Sequence, residues 1–188
     1  FNDTAPTEIY TALNTLSLHD ALPISRDFDR PINERGIKGA KLIGRHLRTK
    51  GWAFDYVISS PAVRCTETLD ALWEGYGEIL HPNWDRRIYL ASGATLLDVV
   101  QDLPDEVSSV LMCGHNPGLE DLILMLVPDV AGDLLRDEVE MKFPTAAVAE
   151  LQFETDNWSA VATGKAKFVR MIRPRDLDAT LGPQMDRD

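Results

Sequence analysis

The stretch Ser109-Val-Leu-Met-Cys-Gly-His-Asn-Pro-Gly118 joins a short apolar run to a glycine, a histidine and an asparagine, and a second apolar segment follows at 119–127. This pattern predicts a buried strand that presents His115 and Asn116 at its C-terminal end, beside the N-terminus of the next helix. In open α/β sheets ligands bind at this edge. A helix N-terminus also favours anions, because its first backbone N–H groups have no partners within the helix. The stretch therefore indicates a phosphate-binding site.

A second stretch with the same organisation is Tyr56-Val-Ile-Ser-Ser-Pro-Ala-Val-Arg64. It predicts a buried strand over Tyr56–Ser59, followed by a helix with Ser60 as its N-cap and Pro61 at its first position. Arg64 then lies one turn into the helix, where its planar guanidinium can point back to the strand ends and bind a phosphoryl group. A single arginine on a helix more often forms a weak surface ion pair. Two strand–helix units, one carrying an arginine and one a histidine, favour a phosphate-binding site over a surface ion pair.

The rest of the chain shows strands and helices in alternation. Periodicity and capping residues predict helices at 34–50 (capped by Asn33), 61–75, 95–103 and from about 118, and strands at 56–59, 79–80, 109–113, 148–153 and 167–172. This alternation predicts the α/β class, as a three-layer α/β/α sandwich with a mainly parallel central sheet.

Composition limits the class of protein. The chain has 188 residues with a net charge of −11, which fits one domain and argues against nucleic acid or an acidic membrane as the partner. A small phosphorylated group remains possible, because it needs only a local cluster of arginine and histidine. Cys65 and Cys113 lack zinc-type spacing, and the longest aliphatic run, Leu122–Val127, is too short to span a membrane. We expect a cytoplasmic monomer with free thiols, no secretory signal, no metal and no cofactor.

Three blocks, taken together and in this order, resemble the histidine phosphatase superfamily (phosphoglycerate mutase-like), and within it the small bacterial phosphohistidine phosphatases. The blocks are Asp27-Phe-Asp-Arg-Pro-Ile-Asn-Glu-Arg-Gly36, Ser59-Ser-Pro-Ala-Val-Arg64 and Gly114-His-Asn-Pro-Gly118, with weaker support from Tyr89–Ser92 and Pro144–Ala147. The resemblance spans residues 26–172. It implies the fold of that superfamily for this part of the chain.

The resemblance also implies a chemistry. In the family a histidine nucleophile takes the phosphoryl group and water later releases it, while arginines and a second histidine stabilise the charge. Arg64 and His115 match a family arginine and the second histidine, which makes them the candidate catalytic residues, and Arg30 and Asn116 are expected to line the phosphate pocket. The chain lacks the long insertion that carries a general acid in larger members. This suits phosphohistidine on a partner protein, whose imidazole leaving group needs little protonation.

The N-terminal segment departs from the family, in which the first strand ends in Leu-Arg-His and that histidine is the nucleophile. Residues 1–25 contain no lysine or arginine, and they resemble the conceptual translation of a sequencing-library adapter. We therefore expect 1–25 to be a non-native segment that replaces the first strand, 26–172 to form the phosphatase domain and 173–188 to be a loosely held tail. Residues 10–18 could fill the vacant strand position. His19 is a doubtful substitute for the nucleophile, if Thr15–Leu18 pairs as the first strand.

Two further functions stay open at this point: a phosphatase of a small phosphorylated metabolite, and a catalytically dead module that binds phosphate or a phosphopeptide.

Other histidines and acids are weaker candidates for site residues. Arg45-His46 repeats the catalytic dipeptide by letter but falls within a predicted helix, and His81 precedes a proline in a loop. Asp27-Phe-Asp29 resembles an aspartyl nucleophile motif but lacks the buried strand that should precede it. Neither cysteine has an arginine six residues later, which excludes cysteine phosphatase chemistry.

Overall fold

The computed structural model describes residues 27–182 and, as backbone only, residues 7–13. Its strands are β1 (Thr7–Leu13), β2 (Tyr56–Ser59), β3 (Asn83–Trp84), β4 (Ser109–Gly114), β5 (Val148–Phe153) and β6 (Lys167–Ile172). Its α-helices are α1 (Glu34–Thr49), α2 (Val63–Tyr76), α3 (Gly93–Gln101), α4 (Gly118–Leu126), α5 (Leu134–Met141) and α6 (Pro174–Leu177). No helix in the described part of the chain combines the length and apolar character needed to cross a bilayer.

The strands form one sheet in the order β3-β2-β4-β1-β5-β6. Strands β1 to β4 are paired in parallel, and β5 is antiparallel to both of its neighbours. The carboxyl ends of β2 and β4 therefore lie at the same edge of the sheet. The predicted α/β class with a mainly parallel central sheet is confirmed.

The two faces of the sheet carry separate hydrophobic cores, which defines the three layers. Leu111 and Cys113 of β4 point into one core, with residues of α1 and α2. Val110 and Met112 of the same strand point into the other core, with residues of α3, α4 and α5. Because side chains alternate between the faces of a strand, a strand covered on both sides reads as a continuous apolar run. This explains the apolar run that precedes His115.

The predicted helix boundaries agree closely with the structure at α1 and less well at α2. Asn33 is the N-cap of α1, and its side-chain oxygen accepts a hydrogen bond from the Gly36 N–H at 2.8 Å. In contrast, Ser60 is not the N-cap of α2. That helix begins at Val63, and its N-cap residue Ala62 makes no side-chain capping bond. The Ser60 hydroxyl is used instead inside the candidate site described below.

Two elements were predicted wrongly or missed. The strand predicted at 79–80 is absent, since Ile79 is exposed and the short strand β3 forms at Asn83–Trp84. The reason is that α2 ends at Gly77 in a left-handed conformation, φ 82°, and the chain then needs several residues to reach the sheet. Helix α5 was missed, although Asp133 caps it by accepting hydrogen bonds from two backbone N–H groups. Its one buried apolar residue, Val139, gives too little periodicity for detection.

The segment after β6 is packed on the domain as far as the structure describes it. Helix α6 contains the buried Pro174, and a 3-10 turn follows at Ala179–Leu181. Arg35 of α1 donates a hydrogen bond to the Leu181 carbonyl at 2.6 Å. Residues 173–181 are thus held by defined contacts, whereas residues 183–188 lie outside the described residues.

Strand β1 occupies the central position of the sheet, between β4 and β5. Glu8 to Leu13 pair one by one with Ser109 to Gly114, so residues 10–13 fall within the expected 10–18 region. The alternative in which Thr15–Leu18 pairs as the first strand stays a prediction. Thr15–Leu18 and His19 lie outside the described residues.

Candidate active site

Two chain segments meet at the carboxyl edge of the sheet. Strand β2 ends at Ser59 and β4 ends at Gly114, so Ser60 and His115 follow the two strand ends. The Ser60 N–H donates to the Cys113 carbonyl at 3.0 Å and so extends the pairing of the two strands by one step. This places the first turn of α2 directly beside the residue after β4.

Arg64 and His115, the two predicted catalytic residues, are in direct contact. Arg64 Nε donates to His115 Nδ1 at 3.1 Å, and both side chains are buried. Because an arginine can only donate, Nδ1 must accept, and the neutral imidazole carries its proton on Nε2. Nε2 lies 2.8 Å from the Ser60 hydroxyl, which accepts that proton in a hydrogen bond. Arg64 and Ser60 together fix the tautomer and orientation of His115.

The surroundings of His115 keep it neutral. Burial is the main cause, and the positive charge of Arg64 acts in the same direction, so the pKa of His115 falls from 6.5 to about 4. The Asp27 carboxylate opposes this shift but does not cancel it. At neutral pH His115 is therefore a hydrogen-bond donor through Nε2, not a cation.

This low pKa predicts an acid-labile fold. The folded pKa of His115, about 4, is below the unfolded value of 6.5, so the unfolded chain binds a proton that the folded chain does not. The stabilisation is present above about pH 6.5 and is lost as the pH falls towards 4. Between pH 7 and pH 5 we expect a loss of about 2 kcal/mol in the free energy of unfolding, measured by urea denaturation.

The matched control is His115→Asn, which removes the titrating ring and keeps a polar side chain. We expect this variant to lose much less stability between the same two pH values, even if it is less stable throughout. An equal loss in both proteins would show that His115 is not the group responsible.

Asp27 is the site residue that sequence reasoning missed. Its carboxylate accepts hydrogen bonds from Arg64 Nη2 at 3.1 Å and from the Tyr89 hydroxyl at 2.9 Å, and it pairs with Arg30 Nη1 at 3.3 Å. Its backbone carbonyl also accepts from Arg64 Nη1 at 2.7 Å. In the sequence, the motif Asp27-Phe-Asp29 is only a poor match to an aspartyl nucleophile motif. The sequence signal for a role of Asp27 in the site is its place in the family block 27–36, which also contains Arg30.

Arg30 and Asn116, the residues expected to line the phosphate pocket, have different surroundings. Two buried guanidinium nitrogens of Arg30, Nε and Nη2, have no hydrogen-bond partner among the described residues. The Asn116 amide donates to the Phe143 carbonyl at 2.8 Å, while its buried Oδ1 has no partner there. Arg30 thus presents unused donors for an anion. Asn116 uses one end of its side chain to hold the loop before β5.

Tyr89 closes one side of the cluster. Its ring packs edge-on against His115, with centroids 5.4 Å apart, and edge-on against Phe28 at 5.1 Å. Burial and the adjacent Asp27 raise the pKa of Tyr89, so the hydroxyl stays protonated and donates to the carboxylate. The segment Tyr89–Ser92 was only weak support for the family, and nothing in the sequence indicated this contact.

The weaker candidates lie elsewhere or are inert. His46 is half-buried near the end of α1, and His81 is exposed. Cys65 lies within 3.6 Å of His115 Nε2. The pKa of the Cys65 thiol is strongly raised by its contact with Cys113 and by burial. This thiol therefore stays protonated and is a poor nucleophile.

Comparisons with known proteins identify the family. A family model described as the histidine phosphatase superfamily (branch 1) matches residues 17–88. An uncharacterized protein of Mycobacterium tuberculosis is 31% identical over 150 residues, which cover 79% of this chain and 92% of that protein. A similar protein of Mycobacterium leprae is 29% identical over 150 residues, with 79% and 89% coverage. The chain belongs to the histidine phosphatase superfamily.

Solved structures narrow the assignment further. A SixA-type protein of Agrobacterium tumefaciens, assigned to the phosphohistidine phosphatases, is 27% identical with a TM-score of 0.72, over 90% of this chain and 99% of its own. The protein histidine phosphatase SixA in complex with tungstate has a TM-score of 0.71 over 91% of this chain and 99% of its own, at 20% identity, and shows the shared fold. Within the superfamily, the chain lies in the SixA-like branch.

Proposed function

We propose that this chain is a phosphatase that acts on phosphohistidine of a partner protein in the cytoplasm, as a monomer and without a metal. The observation that carries the proposal is the buried contact of 3.1 Å between Arg64 Nε and His115 Nδ1 at the carboxyl edge of the sheet. The proposal is supported further by Arg30, which shares the Asp27 carboxylate with Arg64 and has two guanidinium nitrogens without a partner among the described residues. Such a cluster can hold the oxygens of a transferring phosphoryl group.

The reaction has two steps. In the family, a histidine at the end of the first strand attacks phosphorus, the bond to the leaving imidazole breaks, and a phosphohistidine intermediate forms on the enzyme. Water then attacks phosphorus, releases inorganic phosphate and returns the histidine with its electron pair. In this chain residues 12–14 read Ala-Leu-Asn, so that histidine is absent from the strand end. In both steps Arg64 and Arg30 offset the negative charge on the phosphoryl oxygens. Neutral His115, held between Arg64 Nε and the Ser60 hydroxyl, orients the Arg64 guanidinium.

The state of Asp27 supports a substrate with an easily released leaving group. Burial alone would raise the pKa of Asp27, but the Tyr89 hydrogen bond and the charges of Arg64 and Arg30 outweigh burial and lower it. The carboxyl group is therefore ionised at neutral pH and holds no proton for an alkoxide leaving group. A phosphoramidate releases an imidazole, which needs less help from a general acid than an alkoxide does.

A phosphate-binding module is the second candidate, because a specific observation favours it. Residues 1–25 contain no arginine and only one histidine, His19, so the Leu-Arg-His motif of the first strand is missing. We therefore propose that turnover by this exact chain is impaired, and that residues 1–25 are a replacement for the native segment. Binding of a phosphoryl group through Arg64 and Arg30 does not require the nucleophile.

The test measures phosphate release by the full chain from a phosphohistidine protein, from a phosphoserine peptide and from a small phosphomonoester. Arg64→Ala serves as the control that removes the cluster, and isothermal titration with inorganic phosphate is run in parallel. Faster phosphate release from the phosphohistidine protein than from the other two substrates, together with loss of that release in Arg64→Ala, supports the proposal. Faster release from the small ester points to a metabolite phosphatase. Phosphate binding without release from any substrate supports the binding module.

A further inference from the structure

The donors that should hold a phosphoryl group are already occupied by an anion that belongs to the protein. Arg64, Arg30 and Tyr89 come from three different segments, and each places one donor on the carboxylate of Asp27, at 3.1, 3.3 and 2.9 Å. Convergence of two guanidinium groups and a hydroxyl on one carboxylate is the arrangement expected for an anion-binding pocket. Here the bound anion is Asp27.

The contacts of Arg64 show why Asp27 competes with a ligand. All three guanidinium nitrogens of Arg64 donate within this cluster: Nε to His115, Nη1 to the Asp27 carbonyl at 2.7 Å and Nη2 to the Asp27 carboxylate. A phosphoryl group that takes a bidentate position on Arg64 must therefore replace at least one contact with Asp27. The negative charge of Asp27 would also repel a phosphoryl dianion held nearby.

We propose that Asp27 is a resident anion, which takes the phosphoryl position in the absence of a ligand and rotates into solvent when a phosphoryl group binds. This inference rests on the proposed function, since it assumes that a phosphoryl group binds at Arg64. The relative exposure of the side chains indicates which partner moves. The Asp27 side chain is 42% exposed and that of Arg64 is 5% exposed. The carboxylate can rotate into solvent, whereas Arg64 is fixed by its buried contact with His115.

The consequence is selectivity against small anions. While it is paired with Arg64 and Arg30, Asp27 offsets the charges of these two arginines and so reduces the attraction for free phosphate or sulfate. A phosphorylated protein makes further contacts outside the cluster and can displace the carboxylate at the cost of a few hydrogen bonds. Asp27 thus favours a phosphoryl group carried by a larger molecule over the free ion.

The test compares Asp27→Asn with Asp29→Asn in the full chain. Asp27→Asn keeps the shape of the side chain but removes its charge and replaces one of its two acceptor oxygens by an NH2 group, which weakens its hold on the donors of Arg64, Arg30 and Tyr89. Asp29→Asn removes an equal charge two residues away, from an exposed residue of the same 3-10 turn. The probe is inorganic phosphate, with the Kd measured by isothermal titration at constant ionic strength. We expect Asp27→Asn to bind phosphate about tenfold more tightly than the unmodified chain, and Asp29→Asn to change the Kd less than twofold.

Each other outcome overturns the inference in a recognisable way. Weaker binding in Asp27→Asn would show that Asp27 supports Arg64 instead of competing with the ligand. Equal tightening in both variants would show a general charge effect. If neither variant nor the unmodified chain binds phosphate at millimolar concentration, the proposed function fails together with the inference. A gain in affinity cannot result from partial unfolding, and thermal denaturation of each variant verifies that all three are folded.

Discussion

Phosphate release from phosphohistidine rises at least about 10³-fold when the missing motif is built into the end of β1 by Ala12→Leu, Leu13→Arg and Asn14→His. The reason is that the substitutions supply two groups that residues 12–14, Ala-Leu-Asn, do not contain: a histidine nucleophile and a third arginine beside Arg64 and Arg30. Loss of a nucleophile typically costs more than 10⁴-fold in rate, and loss of one preorganised donor costs about 10²–10³-fold. The measurement is single-turnover phosphate release from a phosphohistidine protein.

The register of the sheet determines where the motif must stand. Ala12 pairs with Cys113 and Leu13 pairs with Gly114. The residue after Leu13 therefore corresponds in sequence to His115, which contacts Arg64. An Arg-His pair at positions 13 and 14 would then follow the same strand edge as the Gly114-His115 pair.

Two controls separate the contributions. Ala12→Leu, Leu13→Arg and Asn14→Gln supplies the arginine without the nucleophile, and we expect it to bind phosphate without turnover. His19→Ala in the unmodified chain tests whether His19 already serves as the nucleophile, and we expect it to change nothing. Full activity in the Asn14→Gln control, or loss of activity in His19→Ala, would contradict this account of the site.

The parts of the fold that depend on local pattern were predictable from sequence. The apolar runs that end in Ser59-Ser60 and in Gly114-His115 predicted two neighbouring strand ends, and the structure brings Arg64 and His115 into contact there. This works because parallel strands covered on both faces have continuous apolar sequences, and the residue after each strand is placed by the strand itself. Asn33 marked the start of α1 for an equally local reason.

The parts that depend on contacts distant in sequence were not predictable. Asp27 meets Tyr89 across 62 residues and Arg64 across 37 residues, and neither spacing leaves a trace in the sequence. Ser60 was assigned as a helix cap because serine before proline usually has that role. In the fold its hydroxyl faces His115 instead. A polar residue at a strand end has several possible partners, and only the assembled sheet determines which one it meets.

The second large effect concerns stability: Gly44→Ala lowers the free energy of unfolding by about 3 kcal/mol and the Tm by about 10 °C. Helices α1 and α2 touch through their backbones at this point. A Cβ atom on Gly44 would lie 2.0 Å from the Leu72 carbonyl oxygen, and one on Gly75 would lie 2.0 Å from the Lys41 carbonyl oxygen. Backbone atoms cannot rotate away as a side chain can, so the helices must separate. Alanine gains about 1 kcal/mol in helix propensity, which is too little to offset the clash.

The matched control is Gly77→Ala, at the end of the same α2. Gly77 has φ +82° and no atom within 4 Å of an added Cβ, so this substitution introduces backbone strain of about 1 kcal/mol without a clash. Urea denaturation of both variants separates the two causes, and an equal loss of stability in both would contradict the close approach of the helices. Because α2 also carries Arg64, separating it from α1 should move the guanidinium away from His115. We therefore expect Gly44→Ala, unlike Gly77→Ala, to weaken phosphate binding as well as stability.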